Sequence, residues 1–300
     1  MRKVFLIILL TITIFSCTKE LDYELENIKS LVINSVFYPD NNFTFHVSTT
    51  ASTLEKYDTL KERVQLLLYE NDYLIIDTML GTGTFQTNYK PISNIKYTVK
   101  ILSNSLQSIT ASDSIPNSIN IDDATLLFPV GVDEMGDEYG EFSVKFTDPA
   151  NEKNYYELAI YHYINGEKVY YEWYSDYYKV TDPVLINEGL LDYLPTTMFF
   201  SDELFDGEIY TLRFKDFANE NTSLTSFNSD IYAELRSISK SYYLYRKSYT
   251  IHAFNQQTNY EDLHDFLYSG EPQNMYTNVN NGFGIFVGYN KTSKEFIYTK

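Results

Sequence analysis

The chain has 300 residues, of which 41 are acidic and 23 are basic, so its formal net charge is −18 at pH 7. Such an acidic surface repels phosphate backbones, and nucleic-acid binding needs clustered Lys and Arg, so a nucleic-acid partner is excluded. The hydrophobic content of 44% is enough for a folded core despite this charge, and the length predicts two domains.

The first residues have the pattern of a lipoprotein signal peptide. Arg2 and Lys3 precede an apolar run from Phe5 to Phe15 that is too short to span a bilayer. Cys17 follows this run and is the only cysteine of the chain, so no disulfide forms within it. We predict cleavage after residue 16 and lipidation of Cys17. The alternatives are a secretory signal with an incidental cysteine, or an uncleaved anchor helix.

Residues 17–27 are expected to form a polar tether between the lipid and the folded chain. The charged residues that closely follow Cys17 resemble the surface-export signals of Bacteroidota lipoproteins. We therefore expect anchoring in the outer membrane through lipid on Cys17. Two roles of this segment stay open: a signal for export to the cell surface, and a solvated linker that carries no targeting information. After cleavage the mature chain contains 41 acidic and 21 basic residues, because Arg2 and Lys3 are removed with residues 1–16.

The first region, residues 28–115, alternates apolar and polar residues as half-buried strands do. The expected strands run from Leu31 to Phe37, Phe43 to Val47, Val64 to Tyr69, Tyr73 to Met79 and Tyr97 to Ile101. Their number and spacing predict an immunoglobulin-like β-sandwich. Between Ser103 and Asn120 apolar residues are sparse and Pro116 interrupts pairing, so we expect an accessible linker and a domain boundary there.

The second region, residues 116–300, is predicted to be an antiparallel β domain with one or two helices. The expected strands run from Phe142 to Phe146, Tyr156 to Ile160, Val169 to Tyr178, Ile209 to Phe214, Ile231 to Arg236 and Phe283 to Tyr289. Asn165-Gly166 predicts a hairpin turn. Ser239 is the expected N-cap of a helix near residues 239–255, which packs through Tyr242, Tyr245 and Tyr249. A second short helix is predicted over 260–268. The fold class is therefore mainly β.

Several segments together resemble one protein family. They are Phe200 to Tyr210 (FSDELFDGEIY), Leu235 to Ser239 before Tyr242, Tyr243 and Tyr245, Asn278 to Phe286 (NVNNGFGIF), Leu31 to Asn34, Asp148-Pro149 and Cys17. In this order they are similar to the lipoprotein family called domain of unknown function 4249. Asp206 stands where the family more often has Asn, and the hairpin around Trp173 also departs from it. The resemblance implies an outer-membrane lipoprotein often found beside TonB-dependent receptors, and it brings no established catalytic residues.

The sequence contains no motif for nucleophilic or metal-assisted catalysis, so we expect no enzyme activity, no cofactor and no metal. The four histidines lie in separate elements, and we interpret each as either hydrogen-bonded within the fold or facing solvent. They are His46, His162, His252 and His264. Residues 261–265 are interpreted as a solvated charged face. The acidic loop from Asp133 to Glu138 is interpreted as a hydrophilic hairpin, with calcium binding as the alternative because its spacing is not that of an EF-hand.

The aromatic run from Tyr170 to Tyr178 is the best candidate for a recognition surface. In a strand, Tyr171, Trp173 and Tyr177 share one face and Tyr170 lies on the other. Because only one face can serve the core, the other would expose an aromatic ladder for a glycan or peptide ligand. We assign ligand binding to Tyr171, Trp173 and Tyr177. Cross-strand aromatic pairing under a covering element is the alternative.

Three function classes remain open. The leading hypothesis is a non-enzymatic binding or accessory subunit that acts with a TonB-dependent transporter in the outer membrane. The second is a structural or adhesive surface lipoprotein. The third, a glycan or peptide hydrolase, would need carboxylates near Asp202 or Glu172 to converge in one cleft.

Overall fold

The fold is given by a computed structural model of the chain. The residues that it describes are 29–51, 60, 62–81, 83–133, 136, 138–171, 178–193, 195–217, 230–256 and 273–299. The protein is mainly β, with an immunoglobulin-like N-terminal sandwich followed by a second antiparallel β domain that carries helices. The fold class predicted from the alternation of apolar and polar residues is therefore confirmed.

Seven strands precede residue 116, and they include all five that the sequence predicted. They are β1 (Leu31–Phe37), β2 (Thr44–Thr49), β3 (Val64–Glu70), β4 (Tyr73–Leu80), β5 (Gly83–Gln86), β6 (Lys96–Leu102) and β7 (Ile109–Ser114). Strand β7 lies where an accessible linker was expected, and that expectation is wrong for its residues. Its Ile109 and Ala111 are buried, and the strand pairs antiparallel with β6.

The second region contains eleven described strands and two α-helices. The strands are β8 (Ile121–Val132), β9 (Glu138–Thr147), β10 (Tyr155–Ile164), β11 (Glu167–Tyr170), β12 (Tyr178–Lys179), β13 (Met198–Ser201), β14 (Ile209–Phe217), β15 (Ile231–Ile238), β16 (Val279–Asn280), β17 (Phe283–Glu295) and β18 (Ile297–Thr299). The helices are α1 (Pro183–Asn187) and α2 (Lys240–Gln256), with a 3-10 turn at Leu191–Tyr193. The hairpin turn at Asn165-Gly166 is confirmed, with both residues at positive φ.

Two details of the second region differ from the prediction. The strand expected from Val169 to Tyr178 ends at Tyr170, and Tyr178 begins β12 in a different sheet, where it pairs with β14. Helix α2 is capped as predicted, because the Ser239 hydroxyl accepts a hydrogen bond from the Tyr242 N–H at 3.1 Å. The expected tyrosine stripe is buried at Tyr242, but Tyr249 is 41% exposed. The short helix predicted over 260–268 lies outside the described residues.

One eight-stranded sheet runs through both regions. Its strand order is β11-β10-β15-β17-β1-β2-β5, and β13 also pairs with β10. The joint is β17, which pairs antiparallel with β15 and parallel with β1. Strand β16 pairs with β7, so a second C-terminal segment completes the first sandwich. The boundary near residue 116 stays a prediction about independent domains, and the two regions share a continuous sheet.

Two five-stranded sheets pack against one face of this shared sheet and enclose two cores. The order β16-β7-β6-β3-β4 closes the first sandwich, and the order β12-β14-β9-β8-β18 closes the second. Phe43, Phe45 and Phe286 are fully buried in the first core, and Phe142 and Phe146 in the second. Apolar burial of this kind is the main favourable contribution to folding.

Helix α2 covers part of the opposite face of the shared sheet. Ile285 and Val287 of β17 alternate with Phe286, so they point away from the first core. They pack instead with Tyr242 and Tyr243 of α2 in a third, smaller apolar cluster. The rest of this outer face lies on β10, β11 and β15 and carries the candidate functional site.

Candidate functional site

The structure places Tyr171, the one predicted ligand-binding residue that it describes, against the second core. Its backbone N–H donates to the Ile160 carbonyl at 2.9 Å. Its ring centroid lies 4.5 Å from that of His162, which is itself buried. Trp173 and Tyr177 lie outside the described residues, as does Cys17. The ligand-binding role of the three aromatic residues and the lipidation of Cys17 therefore stay predictions.

Tyr170, the neighbour of Tyr171, lies on the opposite face of the hairpin and is 40% exposed. Its position across from Tyr161 in the β10–β11 register puts both rings on the outer face of the shared sheet. The Tyr170 hydroxyl donates to the Glu234 carboxylate, with distances of 3.0 and 3.1 Å to its two oxygens. The open aromatic surface is therefore the face of Tyr170.

Four tyrosines form this surface, which we call the tyrosine face: Tyr161, Tyr163, Tyr170 and Tyr232. Tyr161 stacks on Tyr232 with ring centroids 5.1 Å apart and planes at 12°. Tyr163 sets its edge against both of these rings, with a centroid distance of 5.7 Å to each. Tyr163 is 47% exposed, whereas Tyr161 is buried. Aromatic contacts of this geometry each contribute about 0.5–1.5 kcal/mol beyond their area burial, so the exposed rings are held on a rigid base.

A buried ionic network lies beside the tyrosine face. Arg236 Nη2 is 2.7 Å from Glu234 Oε1, and Arg236 Nη1 is 2.8 Å from Glu157 Oε2. Lys168 also pairs with Glu234, and its ammonium lies 3.5 Å from the centroid of the Tyr161 ring. Arg236 lies 5.3 Å from the Tyr170 ring centroid. Both contacts with rings are of the cation–π type, so the network and the tyrosine face form one structure.

The two glutamates of this network are almost completely buried yet remain ionised. Burial by itself would raise the pKa of Glu234, but the charge of Arg236 and the hydrogen bond from Lys168 hold the pKa below its ordinary value. For Glu157 the same burial effect on the pKa is outweighed by the charges of Arg246 and Arg236. Three cations thus face two carboxylates within the network. Asp230 and Glu295 lie beside Tyr232, so the surrounding surface also carries negative charge.

Helix α2 and Thr197, which lies just before β13, help to hold this network in place. Arg246 of the helix lies 3.2 Å from Glu157 Oε1 and donates a hydrogen bond to the Thr197 hydroxyl at 2.6 Å. The Thr197 hydroxyl in turn donates to Glu157 Oε1, also at 2.6 Å. On the same helix Lys247 is 2.9 Å from the Glu188 carboxylate. These links fix the helix on the sheet beside the tyrosine face.

Glu157, Glu234 and Arg236 were not predicted from the sequence as parts of a site. A signal was present, because each is a charged residue inside a strand made mostly of apolar and aromatic residues. Glu234 and Arg236 are two residues apart and so share a face of β15. Charged residues are rarely buried unless they are paired, so this pattern indicates an internal ionic network.

Among the described residues, three carboxylates have the arrangement that a cation could use. Ligand atoms of Asp148, Asp202 and Asp206 lie within 4.8 Å of one another, and the first two residues are buried. Asp148 accepts hydrogen bonds from the Tyr156 hydroxyl and, at 2.8 Å, from the Gly207 N–H. Burial raises the pKa of both Asp148 and Asp202. These bonds already hold the loops of the FSDELFDGEIY segment against the turn at residue 148.

The remaining candidate residues are dispersed. His46 lies 3.4 Å from the Thr84 hydroxyl, and His252 lies 2.7 Å from the Gln273 carbonyl oxygen. Burial lowers the pKa of His162. His264 and the 261–265 segment lie outside the described residues. In the acidic loop Gly136 has a φ of +90°, and its N–H donates to the Asp133 carbonyl oxygen. Residues 134, 135 and 137 lie outside the described residues, so the hydrophilic hairpin and its calcium-binding alternative stay predictions.

Within the described part of the chain, neither helix combines the length and apolarity that a membrane crossing requires. No curated protein matches the chain in a sequence comparison. A family model does match, and it spans residues 18–295, which includes every described strand of both sandwiches up to β17. The chain therefore belongs to the DUF4249 family, whose description is a domain of unknown function.

Proposed function

We propose that this protein is an outer-membrane lipoprotein, anchored by acyl chains on Cys17, that serves as a non-enzymatic binding or accessory subunit of a TonB-dependent transporter. The observation that carries the proposal is the tyrosine face, with Tyr163 and Tyr170 exposed beside a buried ionic network. The anchor follows from the signal-peptide pattern before Cys17. The transporter as partner follows from the family resemblance.

The tyrosine face has the properties of a protein-recognition surface. Tyrosine and arginine are enriched at interfaces, because each offers a large contact area together with polar groups. The exposed Tyr163 and Tyr170 rings are already held by Tyr161, Tyr232 and Lys168, so little conformational freedom remains to be lost on binding. The hydroxyl groups of the exposed tyrosines can donate hydrogen bonds to carboxylate or carbonyl oxygens of a partner.

The position of the anchor is compatible with binding to a membrane partner. Thirteen residues separate Cys17 from Leu31, the first residue of β1. Since an extended chain spans at most about 3.5 Å per residue, the fourteen steps from Cys17 to Leu31 reach no further than about 50 Å. Two or more acyl chains would make release from the membrane slow, because each buried CH₂ contributes about 0.8 kcal/mol.

A hydrolase is the weaker alternative, although three carboxylates do converge near Asp202. Asp148 and Asp202 are only 3% and 2% exposed, so a glycosidic or peptide bond cannot reach them. Their oxygens accept hydrogen bonds from Tyr156, Gly207 and Asn154. A glycosidase needs its two carboxyl groups open to the substrate on either side of the scissile bond. We therefore assign these aspartates to loop structure.

A structural or adhesive role is favoured by one other observation, the exposed edge strand β4. It is the last strand of its sheet in the described chain, and Tyr73, Leu74 and Met79 on it are 78%, 50% and 46% exposed. An apolar edge strand can add a strand from another chain. Tyr73 on β4 therefore serves as the matched comparison in the test of the accessory role.

The anchor is tested by mass spectrometry of the mature N-terminus from native membranes. We expect an acylated Cys17 as the first residue, and a Cys17→Ala variant that is neither acylated nor retained in the outer membrane. An unmodified Cys17, or a chain that keeps residues 1–16, would refute the lipoprotein assignment.

The accessory role is tested by affinity purification of the tagged protein from detergent-solubilised outer membranes. We expect stoichiometric recovery of a TonB-dependent barrel, identified by mass spectrometry. Replacement of both Tyr163 and Tyr170 with Ala should abolish recovery, whereas Tyr73→Ala on β4 should preserve it. Circular dichroism verifies that each variant is folded. Recovery of the lipoprotein alone would refute the accessory role, and loss only with Tyr73→Ala would move the interface to β4.

A further inference from the structure

Strand β11 lies at one end of the shared sheet, beside the tyrosine face. It pairs with β10 on one side, and no described strand pairs with it on the other. An edge strand carries a row of unpaired main-chain N–H and C=O groups, which proteins usually protect with charges, proline or a covering element. The edge of β11 therefore offers main-chain hydrogen bonds next to the exposed Tyr170 ring.

The register of the β10–β11 hairpin identifies which main-chain groups point to this edge. The Tyr171 N–H donates to the Ile160 carbonyl at 2.9 Å, and the pairing continues in the same register to the hairpin turn. In an antiparallel pair, hydrogen-bonded residues alternate with residues whose N–H and C=O groups point away from the partner strand. Because the main chain of Tyr171 faces β10, the main-chain groups of Lys168 and Tyr170 point outward.

The same two residues carry side chains on the tyrosine face. Lys168 and Tyr170 are two positions apart, so both project to the side of Tyr161 and Tyr163. The Lys168 ammonium is directed over the sheet, because it pairs with Glu234 and lies 3.5 Å from the centroid of the Tyr161 ring. A strand added along β11 would therefore place every second side chain beside Tyr170 on the tyrosine face.

The edge of β11 differs from that of β4, the longer edge strand of the first sandwich. On β4 the Met79 carbonyl accepts a hydrogen bond from Arg63 Nη2 at 3.1 Å, so a side chain already covers part of that main chain. On β11 the bonds that Lys168 and Tyr170 form to Glu234 come from their side chains and do not occupy their main-chain groups. The edge beside the tyrosine face is therefore the better site for a further strand.

Exposed charge on the tyrosine face indicates the charge that an added segment would carry. The cations of the buried network are already paired with its two carboxylates. At the rim of the face, Asp230 and Glu295 are exposed and lie beside Tyr232. The chain as a whole is also acidic, with a net charge of −18. Complementary charge therefore favours a partner segment with Lys or Arg.

We infer that the open edge of β11 and the tyrosine face together bind an extended, basic segment of the transporter partner, which joins the shared sheet as a further strand. The segment's main chain would bond to the outward groups of Lys168 and Tyr170, and its aromatic or aliphatic side chains would pack beside the Tyr170 ring. In strand addition, main-chain bonds supply affinity and alternate side chains supply specificity. The inference rests on the proposed function and names the chemistry of the partner segment.

The probe is a short, fluorescently labelled peptide with Val and Tyr at its centre and two lysines at each end. A matched peptide has Glu in place of each Lys. Binding to the purified mature chain in detergent is measured by fluorescence anisotropy, and protection of residues 167–170 by hydrogen–deuterium exchange. We expect the Lys peptide to bind at least about tenfold more tightly than the Glu peptide and to slow exchange in this segment. No binding of the Lys peptide at millimolar concentration, equal binding of both peptides, or unchanged exchange would overturn the inference.

A pair of variants separates the edge N–H from the side chain. Lys168→Pro and Lys168→Ala both remove the lysine, but only proline removes the outward N–H, and an edge strand tolerates proline where its N–H faces solvent. Lys168→Pro should bind the Lys peptide at least about tenfold more weakly than Lys168→Ala does. Equal affinity of these two variants would overturn the inference.

Urea unfolding verifies the direction of the N–H groups. Lys168→Pro and Lys168→Ala should have similar urea midpoints, whereas Val169→Pro should have a lower one, because the Val169 N–H faces β10. A midpoint for Lys168→Pro as low as that of Val169→Pro would place the Lys168 N–H inside the hairpin and would also overturn the inference. The peptide titration requires neither transporter nor membrane, so its failure is distinguishable from failure of the accessory role.

Discussion

Replacement of Gly284 by Ala should damage the joint between the two sandwiches. Gly284 lies on β17 opposite Ile33 of β1, in the parallel pairing that runs from Val32 to Phe37. Its φ is +95°, and a Cβ atom built there would lie 2.0 Å from the Ile33 carbonyl oxygen and 2.9 Å from Asn34 Oδ1. A Cβ atom essentially never lies closer than 3.0 Å to another heavy atom of this kind, so β1 and β17 would have to move apart.

The magnitude follows from two contributions. A left-handed backbone costs a residue with a Cβ atom about 1–2 kcal/mol, and forced overpacking adds typically about 1–3 kcal/mol. Because the obstacle is backbone of a central strand, we expect a loss of about 4–5 kcal/mol in the free energy of unfolding. Gly189 is the matched control: its φ is +67°, but a Cβ atom there meets nothing within 4 Å. Gly189→Ala should therefore cost only about 1–2 kcal/mol.

The assay is urea unfolding of the mature chain, followed by circular dichroism, for the parent protein and both variants. The expected order of stability is parent, Gly189→Ala, then Gly284→Ala, with a clear gap between the two variants. Equal midpoints for the two variants would refute the reasoning, because the close approach of β1 and β17 would then carry no energetic weight.

Three further predictions concern buried polar groups, each measured as the free energy of unfolding in urea. Burial raises the pKa of Asp113 to about 6, so the folded state holds the carboxyl proton more tightly than the unfolded state does. The stability that this proton contributes is lost as pH rises from about 4 to 6. Over that range Asp113→Asn should therefore gain up to about 3 kcal/mol relative to the parent, and parallel pH profiles of the two proteins would contradict this. Arg236→Met leaves the two buried glutamates underpaired and should cost about 3–5 kcal/mol at pH 7. The cost of Arg236→Met should shrink as pH falls below the ordinary glutamate pKa. The control Arg213→Met changes a side chain that is 60% exposed and should cost under about 1 kcal/mol at any pH. Equal costs for Arg236→Met and Arg213→Met would contradict the buried network. Tyr156→Phe removes the hydroxyl bonded to Asp148 and should cost about 1–3 kcal/mol, and an unchanged midpoint would show that this bond is dispensable.

Local pattern was enough for most strands but not for all of them. Where apolar and polar residues alternate over several positions, as from Leu31 to Phe37, the strand was found as predicted. Strand β7 was missed because only Ile109 and Ala111 mark its buried face among serine, threonine and aspartate. The second half of β17 was missed because after Tyr289 its residues are mostly polar, and its pairing with β15 depends on a distant segment.

The candidate site was only half visible in the sequence. The period of two showed that Tyr170 and Tyr171 point to opposite faces, but it contains no information about which face meets a core. That choice depends on the second sheet, which packs on the side of Tyr171 and leaves Tyr170 open. Likewise, nothing local indicates that Glu157 and Arg236, 79 residues apart, are paired across β10 and β15.

The sequence by itself determined the mainly β class, the family and the positions of most strands, because these depend on the order of residue types along a short stretch of chain. Only the tertiary structure decided that β17 joins both sandwiches in one sheet, that the tyrosine face is the open one, and that β11 is the end strand of that sheet. Each of these arises from contacts between residues far apart in the chain. Such contacts are selected by the packing of whole sheets, and no local pattern specifies them.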